Sequence, residues 1–159
     1  MAGVVSNSAH PGTPPAPVAK SVRLEAPVLL YDGGCGLCAA SVQFILRHER
    51  RHTLRFAALQ SRFAEDVRVR HPELTGIDSM AWVEPAGEDG ERVFVRSAAA
   101  IRAARYLGGP WHIATLALAM PRSGRDAAYN LVARHRHYLF GGSETCYAPP
   151  ASARARFLD

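Results

Sequence analysis

The chain has 159 residues, 48% hydrophobic and 21% charged, with a formal net charge of +5. This length and balance are typical of one globular domain with a packed core. The arginines are dispersed apart from Arg50-Arg51 and Arg134–His137, whereas a nucleic-acid-binding face concentrates its cations beside aromatic residues. We therefore expect solvated helix faces and no nucleic-acid partner.

The two ends of the chain differ in composition from its middle. Residues 1–26 are rich in proline and alanine and lack the cationic start and apolar run of a signal peptide, so we expect a disordered tail. The most apolar helical stretch, Trp111–Met120, is about ten residues long, half of what a bilayer requires. The sequence predicts no membrane span, a cytoplasmic location, one domain over residues 27–148 and a flexible tail over 149–159.

The first predicted strand and helix flank a pair of cysteines. Val28–Tyr31 is a short apolar strand, Asp32–Gly34 a turn, and apolar residues recur at helical spacing after Cys38. A second strand is predicted at Thr53–Ala57, and an irregular helix follows over Leu59–Val69. These elements form two consecutive strand–helix units.

A hairpin and three helices are predicted in the second half of the chain. Ser79–Glu84 and Arg92–Val95 read as antiparallel strands joined by a glycine-containing connection. The helices are predicted at Ala98–Leu107 with Ser97 as N-cap, at Pro110–Met120, and at Asp126–Phe140. This order predicts an α/β fold in the thioredoxin arrangement, a four-stranded mixed sheet flanked by helices, with additional C-terminal helices.

A Cys-x-x-Cys pair at the start of a helix suits dithiol–disulfide exchange. The spacing lets the two sulfurs join with little backbone movement, and the helix N-terminus stabilises a thiolate. Cys35, at the helix mouth where solvent and substrate can reach it, is the predicted nucleophile, and Cys38, one turn further in and more buried, is the predicted resolving thiol. Half of a zinc site is the alternative interpretation, although the chain lacks a second paired-ligand motif for a four-ligand site.

Two more residues near or beyond this pair have alternative roles. Asp32 either accepts a proton from Cys38 when that thiol becomes the attacking thiolate, or organises its own turn through the backbone. Cys146 is either a small, partly buried hydrophobe or a third redox thiol. No dinucleotide-binding fingerprint is present, so we expect no cofactor, and electrons from an unknown protein or small-thiol reductant.

The stretch Tyr31–Cys38, YDGGCGLC, resembles the signature of the DCC family of predicted thiol-disulfide oxidoreductases. The resemblance extends to Cys146 through Leu59-Gln60-Ser61, Asp78-Ser79, Gly108-Gly109-Pro110-Trp111, Arg125-Asp126-Ala127-Ala128-Tyr129 and Arg134-His135-Arg136. It implies a thioredoxin-like fold, disulfide exchange and a functional role for Asp32, with Cys146 and Ser79 as accessory candidates.

The sequence departs from thioredoxins proper before its third predicted strand. Thioredoxins place a cis-proline there, whereas this chain has Gly76–Ser79 without a proline, which favours a narrower substrate than protein disulfides in general. The leading hypothesis is an enzyme that exchanges disulfides with a protein or small thiol. The alternatives are a non-catalytic module that holds a metal or partner through the same cysteines, and an adaptor whose basic helix around Arg134–His137 docks onto an acidic partner or anionic membrane face.

Overall fold

The computed structural model describes residues 24–77, 79–87, 90–140 and 149–158. Its strands are β1 (Val28–Tyr31), β2 (Arg55–Ala58), β3 (Ala81–Pro85), β4 (Glu91–Val95) and β5 (Phe157–Leu158). Its α-helices are α1 (Gly36–His48), α2 (Arg62–Arg70), α3 (Ser97–Leu107) and α4 (Arg122–Phe140). Three 3₁₀ helices cover Pro72–Leu74, Gly109–Ala119 and Ala151–Arg156.

The strands form one mixed sheet in the order β4-β3-β1-β2-β5. Strand β1 lies parallel to β2, with Leu29 opposite Phe56, and antiparallel to β3, with Leu29 opposite Trp82. The β3–β4 pair is the predicted antiparallel hairpin. The α/β, thioredoxin-like fold predicted from the sequence is thus confirmed.

Each face of the sheet carries its own hydrophobic core. On one face, buried side chains of β1, β2 and β3 pack against α1 and α3, and this core includes both Cys35 and Cys38. On the other face, α2 and the 3₁₀ helix at Pro72–Leu74 cover residues such as Leu30 and Val83. The alternation of side chains along β1 therefore assigns Leu29 and Tyr31 to the cysteine side and Val28 and Leu30 to the opposite side.

The sheet has five strands instead of the four predicted. The fifth, Phe157–Leu158, pairs with β2 and lies within residues 149–159, which we assigned to a flexible tail. A strand of two residues has no readable alternation, which is why the sequence pattern did not reveal it. The domain boundaries after residues 26 and 148 stay predictions.

A buried charged contact anchors this last strand. The Arg156 guanidinium donates to Glu49 Oε1 at 2.5 Å and to the Leu54 carbonyl oxygen at 3.3 Å. Tyr106 Oη donates to the other Glu49 oxygen at 3.0 Å, and the Glu49 side chain is fully buried. The anchor joins Glu49 at the end of α1, Tyr106 in the last turn of α3, and Arg156 just before β5, which are far apart in sequence.

Two local predictions about the C-terminal helices are wrong. Ser97 does not cap α3: Arg96 is the N-cap, at a φ of 53°, and the Ser97 hydroxyl instead donates to Asp126 on α4. The helix predicted over Pro110–Met120 is a 3₁₀ helix over Gly109–Ala119, none of whose residues is buried. Over the described residues, no helix combines the length and apolar character needed to cross a bilayer.

Candidate active site

The two cysteines lie where β1 passes into α1. After Tyr31 the chain turns, and the Cys35 N–H donates to the Asp32 carbonyl oxygen at 3.2 Å. Cys35 is the N-cap of α1, with extended φ and ψ of −102° and 115°, and its carbonyl accepts from the Ala39 N–H at 3.0 Å. Cys38 follows within the first turn of the helix, so both sulfurs lie near its positive end.

Both thiols are free and buried, which differs from our expectation that solvent reaches Cys35. Cys35 is 2% exposed and Cys38 is 5% exposed. The difference arises because Cys35 packs into the same core as Tyr31 and Trp82. Neither thiol is therefore open to solvent in this conformation.

The surroundings of Cys38 strongly disfavour ionisation of its thiol. Burial, first, and then a hydrogen bond with the Cys35 side chain raise the pKa of Cys38 from its ordinary value of 9.0 to about 12. A hydrogen bond with the Asp32 backbone acts in the opposite direction, whereas the Asp32 carboxylate charge adds to the increase. The Cys35 side chain and Asp32 thus both lie close enough to Cys38 to affect its ionisation.

Asp32 organises the turn before the cysteines. Its Oδ1 accepts from the Gly34 N–H at 3.0 Å and from the Gln60 side-chain amide at 3.2 Å. This geometry supports the turn-organising role, and the charge effect on Cys38 leaves the proton-transfer role available. Sequence reasoning assigned no role to Gln60. The signal was its position just after β2, because the carboxyl ends of the parallel strands β1 and β2 meet at one edge.

Ser79 lies at the same end of the sheet. The β1–β3 register pairs Leu30 with Ala81, so Ser79, two residues before Ala81, lies toward the end of the sheet where β1 passes into α1. Ser79 is 6% exposed, and its hydroxyl has no hydrogen-bond partner among the described residues. Burial removes the water that would hydrogen-bond to such a hydroxyl, and without a replacing partner this loss destabilises the folded state.

An apolar groove of about 400 Å³ opens between α1, α3 and the 3₁₀ helix at Gly109–Ala119. Among its lining residues, Ile45 and Ala103 belong to the core that contains both cysteines, and Met80 and Trp111 pack against that core. The groove therefore shares a wall with the packing around the thiols. Trp111 is half-buried here, with its ring centroid 4.7 Å from that of Phe44.

Some predicted residues cannot be placed relative to the thiols. Cys146 lies outside the described residues, as do the side chains of Arg136 and His137. The role of Cys146 as a third redox thiol therefore stays a prediction. Within the described part of the chain, no group of three or more His, Cys, Asp or Glu side chains is arranged to hold a metal ion.

Comparisons with known proteins point to one family. Residues 29–142 match the family described as DCC1-like thiol-disulfide oxidoreductase. The chain is 36% identical over 132 residues to the uncharacterized protein YuxK of Bacillus subtilis (strain 168), covering 82% of this chain and 93% of that protein. It is 32% identical over 122 residues to the chloroplastic DCC family protein At1g52590 of Arabidopsis thaliana, covering 76% and 68%. No solved structure matches.

Proposed function

The chain belongs to the DCC1-like thiol-disulfide oxidoreductase family, and from this premise we propose that Cys35 attacks a substrate disulfide, Cys38 resolves the mixed disulfide, and Asp32 assists proton transfer. The observation that carries the proposal is the placement of two free thiols, Cys35 and Cys38, together at the N-terminus of α1. Two thiols at this spacing can form a disulfide with little rearrangement.

The proposed reaction has two exchange steps. The Cys35 thiolate bonds to one sulfur of the substrate, the substrate S–S bond breaks, and its other sulfur leaves as a thiolate and takes a proton. The Cys38 thiolate then bonds to Cys35, releases the second substrate thiol and leaves a Cys35–Cys38 disulfide. The substrate gains two electrons and the protein loses two, which a reducing protein or small thiol returns.

Deprotonation of Cys38 is the demanding part of this sequence. With a pKa of about 12, Cys38 is a neutral thiol at physiological pH, and only its thiolate attacks. Asp32 is the carboxylate whose charge acts on Cys38. It is held in place by Gly34 and Gln60, so it can receive this proton directly or through one water.

The substrate we propose is a disulfide-containing protein or small disulfide of restricted range. Both thiols are buried, so a substrate must open the turn at Asp32–Gly34 before exchange begins. A substrate whose binding stabilises the open turn reacts, and others do not. We place the reaction in the cytoplasm, because a dithiol that works as a reductant is kept reduced there.

The same burial favours a second candidate function. A module that holds a metal or partner through Cys35 and Cys38 has no need for an accessible nucleophile. Metal analysis of anaerobically purified protein separates the two functions. Stoichiometric zinc that is lost in Cys38→Ser supports the binding module, whereas metal-free protein with a reversible disulfide supports the enzyme.

Turnover of small and protein disulfides tests the enzymatic proposal. The chain has three cysteines, so the assay uses a Cys146→Ser background in which only the pair remains. We expect Cys35→Ser to lower turnover by about 100-fold or more, since it removes the nucleophile. Ser41→Ala, on the same helix, is the matched control and retains activity. Equal turnover by Cys35→Ser and its parent contradicts the proposal.

A further inference from the structure

The region after α3 exposes large apolar side chains, whereas the other described elements bury most of theirs. Six of the eight exposed large hydrophobic residues in the described part of the chain lie between positions 113 and 132. They are Ile113, Leu116, Leu118, Met120, Leu131 and Val132, each at least 50% exposed. Several large apolar side chains exposed within one stretch of the chain are typical of an interaction site.

The same region carries a net positive charge. Residues 108–140 contain four arginines and one acidic residue, Asp126, which gives this stretch a formal charge of +3. Asp126 accepts a hydrogen bond from Ser97. The charge of this region therefore complements an anionic surface.

The exposed charges lie beside the exposed apolar residues. Exposed Arg122 follows Met120 by two positions. On α4, exposed Arg134 and His135 are three and four residues after Leu131, so they share its face of the helix. An apolar strip bordered by arginines is the pattern of segments that lie in the headgroup region of a bilayer.

We propose that this surface, the 3₁₀ helix at Gly109–Ala119 together with the exposed side of α4 from Arg122 to His135, docks onto an anionic lipid bilayer. The apolar side chains enter the headgroup boundary, and the arginines contact lipid phosphates. Self-association through the same surface would oppose two regions with a formal charge of +3 each, which repel each other. The charge therefore favours lipid over a second copy.

Vesicle sedimentation of the full chain tests the proposal. Vesicles of phosphatidylcholine mixed with phosphatidylglycerol should bind the protein about tenfold more strongly than phosphatidylcholine alone, and added salt should release it. Ile113→Ser with Leu116→Ser should abolish binding. Val69→Ser is the matched control, because Val69 is 77% exposed on α2, outside the surface. Arg122→Gln should weaken binding more than Arg62→Gln, another exposed arginine on α2.

Tryptophan fluorescence provides a second measurement of vesicle binding that requires no substitution in the proposed surface. The chain has two tryptophans, and Trp82 is buried, so Trp82→Phe leaves Trp111 as the reporter within the proposed surface. Its emission should shift to shorter wavelength on addition of anionic vesicles. The Cys35→Ser variant should bind equally, so failure of the redox proposal leaves this one standing.

Three outcomes overturn the lipid proposal. One is the absence of sedimentation with the phosphatidylglycerol vesicles. Another is equal binding by the Ile113→Ser, Leu116→Ser variant and by Val69→Ser. The third is a different occupant of the surface, shown either by a dimer in sedimentation velocity that the same double variant dissociates or by an acidic protein that binds while anionic vesicles do not.

Discussion

The start of α1 and the region after α3 use apolar residues in opposite ways. Helix α1 buries Cys38, Val42 and Ile45 against the sheet, whereas the 3₁₀ helix at Gly109–Ala119 buries none of its residues. The cysteines are therefore part of the hydrophobic core, whereas the region after α3 is a surface that the described fold leaves exposed. Changes near the cysteines should affect stability and chemistry together, and changes in the later region should affect association alone.

The largest expected effect is a loss of stability when the buried contact of Glu49 with Tyr106 and Arg156 is removed. Replacing Glu49 by alanine leaves the Tyr106 hydroxyl and Arg156 without their buried acceptor, and the loss of one partner of a buried pair costs about 4 kcal/mol. Urea denaturation should show a decrease of that size. The exposed Glu65→Ala should change the free energy of unfolding by less than about 0.5 kcal/mol, and equal decreases in the two variants would show that the anchor does not stabilise the core.

The pH dependence of Cys38 reactivity is the next largest effect. Below a pKa of about 12 the thiolate fraction rises tenfold with each pH unit, so alkylation of Cys38 should accelerate about 100-fold between pH 7 and pH 9 without reaching a plateau. The measurement uses Cys35→Ser, Cys146→Ser, where Cys38 is the remaining thiol; the contribution of Cys35 to its raised pKa is lost there, but burial, the largest cause, persists. The same variant in urea should reach its plateau just above the ordinary pKa of 9.0. A plateau near pH 9 in the folded protein would contradict the burial argument.

Asp32→Asn separates the two roles of this residue. Asparagine keeps a side-chain oxygen that can accept from Gly34 and Gln60, but it cannot take a proton from Cys38. We expect resolution of a preformed mixed disulfide on Cys35 to slow about tenfold or more, as followed by stopped-flow release of the substrate thiol. Gln60→Ala, which removes one contact to Asp32, is the control for misplacement of the turn. An unchanged rate in Asp32→Asn would leave Asp32 with the turn-organising role alone.

Two buried serines give the smallest and most closely matched comparison. Ser79 is 6% exposed with no hydrogen-bond partner, and Ser97 is 8% exposed and bonded to Asp126. Ser79→Ala should raise the free energy of unfolding by about 1 kcal/mol, because it removes an unsatisfied hydroxyl, and Ser97→Ala should lower it by about 1 kcal/mol. Thermal denaturation measures both. A Ser79→Ala variant that is less stable than its parent would show that the hydroxyl has a partner in solution.

The sequence predicts the dithiol region better than the region after α3. Val28–Tyr31 and the helix after Cys35 have clear patterns, and their neighbours in the sheet follow from chain order. The contact between Asp32 and Gln60 joins residues 28 positions apart, and only the parallel register of β1 and β2 brings them together. The burial of Cys35 likewise depends on core packing, which helix-end chemistry alone does not specify.

In the region after α3, local sequence patterns were insufficient to predict how the segment packs. Residues 110–120 are apolar and begin with proline, which predicts a packed helix, but whether such a segment packs depends on a partner surface that the sequence does not identify. The β5 strand is similar, because its position is determined by Arg156 and Glu49, 107 residues apart. Both errors concern tertiary partners and leave the local patterns intact.

The most direct test of the central claim is substrate trapping by Cys38→Ser in the Cys146→Ser background. Without the resolving thiol, the exchange should stop at a mixed disulfide on Cys35, visible by mass spectrometry and released by a reductant. Cys35→Ser, in which Cys38 is the remaining thiol, should trap far less. The account predicts a Cys35-linked adduct after incubation with a disulfide. No adduct on Cys35, or an adduct formed equally well on Cys38, would contradict it.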